Sequence, residues 1–239
     1  MLDSIKERRE IGLEYVFEKL QIMTPYGEKR QAARKVYRPE EKKELEKELE
    51  AVELFTKELS LKAYPLHELQ YEFSRIKEIS GSIKRADRGA ILDEVELFEI
   101  KTFSRVVDEL RQKTQKLKTP QGFELKSLDK VAKALDPENS GLLTFYIYDS
   151  YSKKLEQIRL EKKSLEERIY RKAEDQRNEL FLKRADLVVE EEKEERRIRS
   201  ELSKIIAGHS EIFVHNMQKI GELDHWIAKA KLARSYPSC

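Results

Sequence analysis

The chain of 239 residues contains one cysteine, six prolines, eight glycines and a single tryptophan. The cysteine, Cys239, is the last residue, which rules out an intrachain disulfide framework and any zinc site built from paired thiolates. So few glycines and prolines argue against a turn-rich β architecture. No run approaches the roughly 20 apolar residues needed to cross a bilayer. The start, Met1-Leu-Asp-Ser-Ile-Lys-Glu-Arg-Arg-Glu10, lacks the apolar stretch of a secretory signal. A cytoplasmic protein away from any membrane is therefore expected. Net charge nearly cancels, with 48 basic and 46 acidic residues giving +2. That balance is not the footprint of a stand-alone nucleic-acid binder, though it leaves room for a local basic patch.

Charge itself is plentiful, at 39% of residues, and mean hydropathy is −0.73. High charge without periodicity would mean disorder, but here Leu, Ile and Val recur at helical spacing, so extended helices are expected instead. From Thr144 to Ala207 there is no Gly and no Pro. Leu155, Ile158, Leu165 and Ile169 trace one stripe. Ile198, Leu202, Ile205, His209, Ile212, Asn216, Leu223 and Ile227 lie on or near another. Narrow stripes between solvated flanks are what helices paired along a seam require. A reversal between Arg171 and Ala185, best placed at Arg177-Asn178, would make two limbs of about 30 residues, roughly 45 Å each at 1.5 Å per residue. Leu155–Ile169 would then pair antiparallel with Leu187–Ile205, and Ile212–Leu232 would dock on the first half of the chain.

That first half reads as a compact helical bundle. Expected helices run from Ser4 to Ile22, Gly27 to Tyr37, Pro39 to Leu59, from Tyr64-Pro65 onward, and from Asp93 to Lys116. Inward positions are Leu45, Leu49, Val52, Leu54 and Phe55 on the third, and Val95, Leu97, Phe98, Ile100, Phe103, Val106 and Leu110 on the last. Thr119-Pro120-Gln121-Gly122 is the clearest linker. A short helix capped by Ser127 should follow, ending at Asp136-Pro-Glu-Asn-Ser-Gly141, with 142–148 briefly extended. The expected organisation is all-α, a helical bundle plus a long antiparallel arm: a bundle over 1–118, a connector over 119–148, and long helices returning to the bundle over 149–239.

Four segments resemble the MutS family of DNA mismatch repair proteins. Asp149-Ser-Tyr-Ser-Lys-Lys-Leu-Glu-Gln-Ile-Arg159 is similar to the D-S-x-S-x-x-L-x-x-I-R start of that family's lever helix. Ile220-Gly-Glu-Leu-Asp-His-Trp-Ile-Ala-Lys-Ala-Lys-Leu-Ala233 resembles the segment where the lever returns to the core. Leu13-Glu-Tyr-Val-Phe-Glu-Lys-Leu20 with Thr24-Pro-Tyr-Gly27 looks like the opening of the core, and Ile91-Leu-Asp-Glu-Val-Glu-Leu-Phe-Glu-Ile100 like its mid-bundle helix. The resemblance implies the helical core and lever of a dimeric ATPase that clamps DNA, hence duplex or branched DNA and a homodimer as partners. Two departures stand out. No G-x-x-x-x-G-K-[ST] occurs, so no phosphate-binding loop is present, and ATP and magnesium are expected only in a C-terminal domain lacking here. The stretch between Ile158 and Ile198 has no room for the family's β-rich clamp insertion.

Catalytic, cofactor and metal residues are not expected in this chain. His209 and His215 miss the i, i+4 spacing of paired metal ligands, and Glu190–Glu195 reads as a solvated face. Asp224 and Trp226 read as residues that lock the returning helix into the core. The best functional candidates are basic: Arg168, Arg171, Lys172, Arg177, Lys183 and Arg184 cluster where the arm turns, and phosphate contact draws its affinity from such concentrations. A weaker second patch is Lys84, Arg85 and Arg88. The competing reading of the chain is a coiled-coil scaffold that dimerises through its arm and never meets DNA.

Overall fold

The computed structural model describes residues 9–33, 37–61, 63–141, 144–171 and 177–236. Among them the fold is all-α: α1 (Leu13–Lys19), α2 (Pro25–Ala33), α3 (Lys42–Leu61), α4 (Ala63–Ser74), α5 (Ser80–Asp87), α6 (Glu94–Thr114), α7 (Asp129–Leu135), α8 (Lys153–Arg171), α9 (Asn178–Ala207) and α10 (Ser210–Ser235), with no strand. None of these helices is long and apolar enough to cross a membrane. The chain forms two compact units, each discontinuous in sequence. The first comprises Met1–Glu78, Thr102–Leu128 and Glu211–Cys239; the second comprises Ile79–Lys101 and Asp129–Ser210. These units interleave along the chain, unlike the successive segments 1–118, 119–148 and 149–239 drawn from the sequence. Thr119–Gly122 lies inside the first unit, where Phe123 N–H bonds to Pro120 O (3.0 Å) and Gly122 takes φ +79° to close a tight turn.

Local chemistry explains most helix boundaries. Gly12 adopts φ +74° and interrupts the helix expected from Ser4 to Ile22, so α1 begins only at Leu13 and buries none of its residues. Residues 4–8 of that expectation lie outside the described residues. α2 starts earlier than expected, because Pro25 occupies its first turn and the Thr24 hydroxyl accepts the Gly27 N–H (3.0 Å) as an N-cap. α6 opens on a reciprocal capping box: Glu96 N–H donates to Asp93 Oδ1 (2.9 Å) and Asp93 N–H to Glu96 Oε2 (3.1 Å). The hydroxyl of Ser127, the expected cap of α7, donates to Asp108 (3.1 Å). Asp136 organises the turn after α7 by accepting the N–H groups of Ser140 (3.0 Å) and Gly141 (3.3 Å).

In the first unit, α10 packs among the N-terminal helices. Phe55 stacks on Trp226, Phe103 contacts Phe213, and Tyr26 meets Phe103 edge-on. Buried Asn216 ties down the segment before α7, accepting from Lys126 N–H (2.8 Å) and donating to Lys126 O (2.9 Å). The inward face of α3 differs from the one expected. Leu45 and Leu49 are 36% and 58% exposed, while Ala51, Phe55 and Leu59 are buried together with Glu48 and Glu58. A carboxylate replaces a leucine there because donors await it: Glu48 accepts from Trp226 Nε1 (2.8 Å), Lys229 (2.9 Å) and Arg30 (3.2 Å). Burial alone would raise the Glu48 carboxyl, but its contacts with His225, Trp226 and Lys229 reverse the effect and hold it well below the usual range. Val95, expected inside, is 66% exposed.

Candidate nucleic-acid interface

The candidate site lies on α8 and α9 of the second unit, which form an antiparallel hairpin. Ion pairs fix its register: Arg159 meets Glu191 and Glu195, and Arg184 meets Glu166. Ile158, Leu165, Leu180 and Leu187 fill the seam, with Ile169 packed against them. The antiparallel arm is therefore present, but Leu155–Ile169 pairs from Leu180 onward rather than from Leu187. The reason is a short reversal: α8 ends at Arg171 and α9 begins at Asn178, which draws the returning helix toward the turn. The second stripe is also not continuous, since α9 stops at Ala207 and α10 restarts at Ser210.

The start of the hairpin is saturated with bonds. Ser152 accepts the Leu155 N–H (3.4 Å) and donates to Glu194 (2.6 Å), capping α8 and joining it to α9. The guanidinium of Arg159 donates to Glu191 (2.9 Å), Glu195 (2.8 Å), the Ile147 carbonyl (2.8 Å), the Tyr146 hydroxyl (2.9 Å) and Asp149, and lies over the Tyr146 ring. Burial works against the charged guanidinium, yet these acceptors outweigh it and raise its pKa further. Glu190–Glu195 is consequently not a plain solvated face. Glu191, Glu194 and Glu195 are turned into the helix pair, and Lys162 also bonds Glu191.

The opposite end of the hairpin carries the cations singled out from sequence. Lys183 pairs with Glu179 (2.7 Å) and Arg184 with Glu166 (2.8 Å), so both have a structural partner. Arg177 is half-buried just before α9. Lys172 lies outside the described residues. Arg168 and Arg171, one turn apart on α8, are exposed and have no ion-pair partner among the described residues. Arg171 also lines a shallow depression with Lys163, Glu166, Glu167 and Tyr170. Tyr170 is 88% exposed. Sequence reasoning missed it, although an aromatic immediately before Arg171 and off the seam stripe was a readable signal. In the weaker patch, Arg85 pairs with Glu96 (2.8 Å), whereas Lys84 and Arg88 are exposed.

No protein-family model and no curated protein matches this chain. The reading of the hairpin thus rests on its own residues. A flat guanidinium beside an exposed aromatic ring, with no ion-pair partner among the described residues, suits phosphate contact together with stacking. Nothing comparable exists for a metal: among the described residues no group of three or more His, Cys, Asp or Glu side chains could hold one. His209 and His215 bond the carbonyls of Ile205 (2.8 Å) and Glu124 (2.9 Å).

Proposed function

We propose that this chain is a non-catalytic core-and-lever module of a MutS-related, DNA-associated ATPase. Its arm would couple the nucleotide state of an ATPase domain to its own position and to DNA. The observation that carries this reading is that family-like segments distant in sequence engage one another. Asp224, in the segment resembling the lever's return, accepts hydrogen bonds from Thr24 N–H (2.7 Å), the Thr24 hydroxyl (2.7 Å) and Met23 N–H (3.1 Å), in the segment resembling the core's opening. The helices touch so closely there that a Cβ on Gly221 would lie 2.7 Å from the Tyr26 carbonyl oxygen, and one on Gly27 would lie 2.4 Å from Asp224 Oδ2. In the segment resembling the lever's start, Asp149, Ser152, Leu155, Ile158 and Arg159 each have a bond or a buried contact in the second unit.

The rival reading, a scaffold dimerising through its arm, draws support from Leu160, Leu182 and Val189, which are exposed along the hairpin. One titration separates the two. Labelled duplex DNA at about 50 mM salt, where attraction is least screened, should bind weakly, without sequence preference and with steep salt dependence. Replacing Arg168 and Arg171 by Glu should abolish that binding with helicity unchanged. A wild-type protein that sediments as a dimer and leaves DNA unbound supports the scaffold and overturns the lever reading.

A further inference from the structure

Tyr170 is the most exposed of the large hydrophobic side chains among the described residues, and its surroundings are not those of a stray surface ring. Lys163 and Arg171 share its depression, and neither has an ion-pair partner among the described residues. Glu166 of the same depression is already held by Arg184, which leaves Glu167 as the one other acid among the described residues that line it. The Glu166–Arg184 pair also sets the register that brings Tyr170 level with Leu180 and Phe181. At 100° per residue, Tyr170 and Phe181 lie on the same side of the hairpin, each about a quarter turn from the seam. Phe181 is 51% exposed. Two aromatic rings in water, with unpaired cations beside the more exposed one, are a poor match for a duplex, whose bases are already stacked. They match a strand whose bases are unpaired, since base–aromatic stacking tolerates any sequence while the cations meet the backbone.

We propose that this face of the hairpin binds unpaired single-stranded DNA, with Tyr170 stacking on an exposed base and Lys163 and Arg171 contacting the flanking phosphates. The inference rests on the DNA-associated reading above and goes beyond it by naming the form of DNA. Charge complementarity selects the occupant: among the described residues Lys163 and Arg171 have no ion-pair partner and Glu166 is held by Arg184, so the surroundings of the ring favour an anionic partner that also offers flat apolar faces.

The test compares a labelled single strand of about 20 nucleotides, long enough for one site, with its duplex and with the matching RNA strand, by fluorescence anisotropy on the whole chain. Single-stranded DNA should bind more tightly than the duplex. Tyr170→Phe should keep that preference. Tyr170→Ala and Tyr170→Leu should weaken single-strand binding at least fivefold, about the smallest loss expected from removing one stacking ring, and leave duplex binding unchanged. Glu167→Gln should tighten binding to both. The helical spectrum should be the same for all variants, because these side chains are solvated. Duplex binding equal to single-strand binding, with no response to Tyr170, would overturn the stacking proposal and leave the lever reading standing. RNA bound more tightly than DNA would overturn it too. Absence of binding to any strand would overturn both.

Discussion

At the start of the α8–α9 hairpin, Arg159 is 16% exposed in its side chain and surrounded by acceptors on every side. Three turns further along the same helix, Arg168 and Arg171 are exposed and have no ion-pair partner among the described residues. The two sites share a helix, a partner helix and a dense supply of glutamates, so composition does not explain the difference. Register does. Arg159 falls opposite Glu191 and Glu195, which sit one turn apart on α9 and can grip a guanidinium from two sides. Toward the turn from Arg184, α9 carries the apolar Leu180, Phe181 and Leu182, and Arg168 and Arg171 of α8 have no ion-pair partner among the described residues. One hairpin thus uses arginine as a rivet at one end and as an unengaged charge at the other.

The sharpest way to break that contrast is at the rivet. Arg159→Met keeps the aliphatic stem but takes the guanidinium away from Glu195 and the Ile147 carbonyl and leaves Glu191 with Lys162 alone. Breaking a buried charged network costs about 3–5 kcal/mol, and partial exposure here places the expected loss near the lower end. Hydrogen exchange of α8 and α9 backbone amides reads it directly, because the hairpin's local opening is what should become easier. Unchanged protection in both helices would mean that the apolar seam alone holds the pair.

Acid should reproduce a milder version of the same injury. Burial pushes the Glu191 carboxyl up, but hydrogen bonds from Lys162 and Arg159 prevail and leave it below its ordinary 4.5. Bonds from Arg197 and Ser152 lower Glu194 in the same direction. A carboxyl depressed on folding stabilises the fold above its unfolded pKa, and that contribution is lost as pH falls through the folded value. Hairpin protection should therefore be flat from neutral pH down to about 5 and fall below roughly 4.5. In Arg159→Met the fall should be shallower, since one of the donors responsible is gone. An equally steep fall in that variant would place the linkage elsewhere.

Much of this fold was legible because helical periodicity reports burial directly. Leu97, Ile100, Phe103, Val106 and Leu110 on α6 are all buried as their spacing predicts, and Leu66, Leu69, Phe73 and Ile76, on and just after α4, are buried at the same helical spacing. What periodicity could not report was polar burial. Glu48 displaces Leu45 and Leu49 from the interior only because Trp226, Lys229 and Arg30 converge on it from residues up to 181 positions away. Likewise, the acidic run 190–195 looks uniformly solvated until the register of α8 is known. The hairpin register was one heptad off, since a stripe with Leu180, Leu187 and Ile198 in step accepts either pairing until the length of the reversal is fixed. The basic cluster was visible as composition. Which of its members were engaged was not, because Lys183 finds its acid on its own helix and Arg184 finds one across the seam.

The smallest expected effect is the one that separates structural from unengaged cations. Arg184→Gln removes a half-exposed pair with Glu166 and should cost less than about 1 kcal/mol, easing further as salt rises. Arg168→Gln with Arg171→Gln removes two charges that pair with no acid among the described residues, so stability should move by no more than about 0.5 kcal/mol in either direction. Any change in the double variant should be a slight gain, because like charges one turn apart no longer repel, whereas the loss in Arg184→Gln should shrink toward zero in high salt. Thermal melts at low and high salt distinguish the cases. A double variant that loses as much stability as Arg159→Met would show that Arg168 and Arg171 are held within the fold. They would then be unfit for any phosphate, and the contrast between the two ends of the hairpin would disappear.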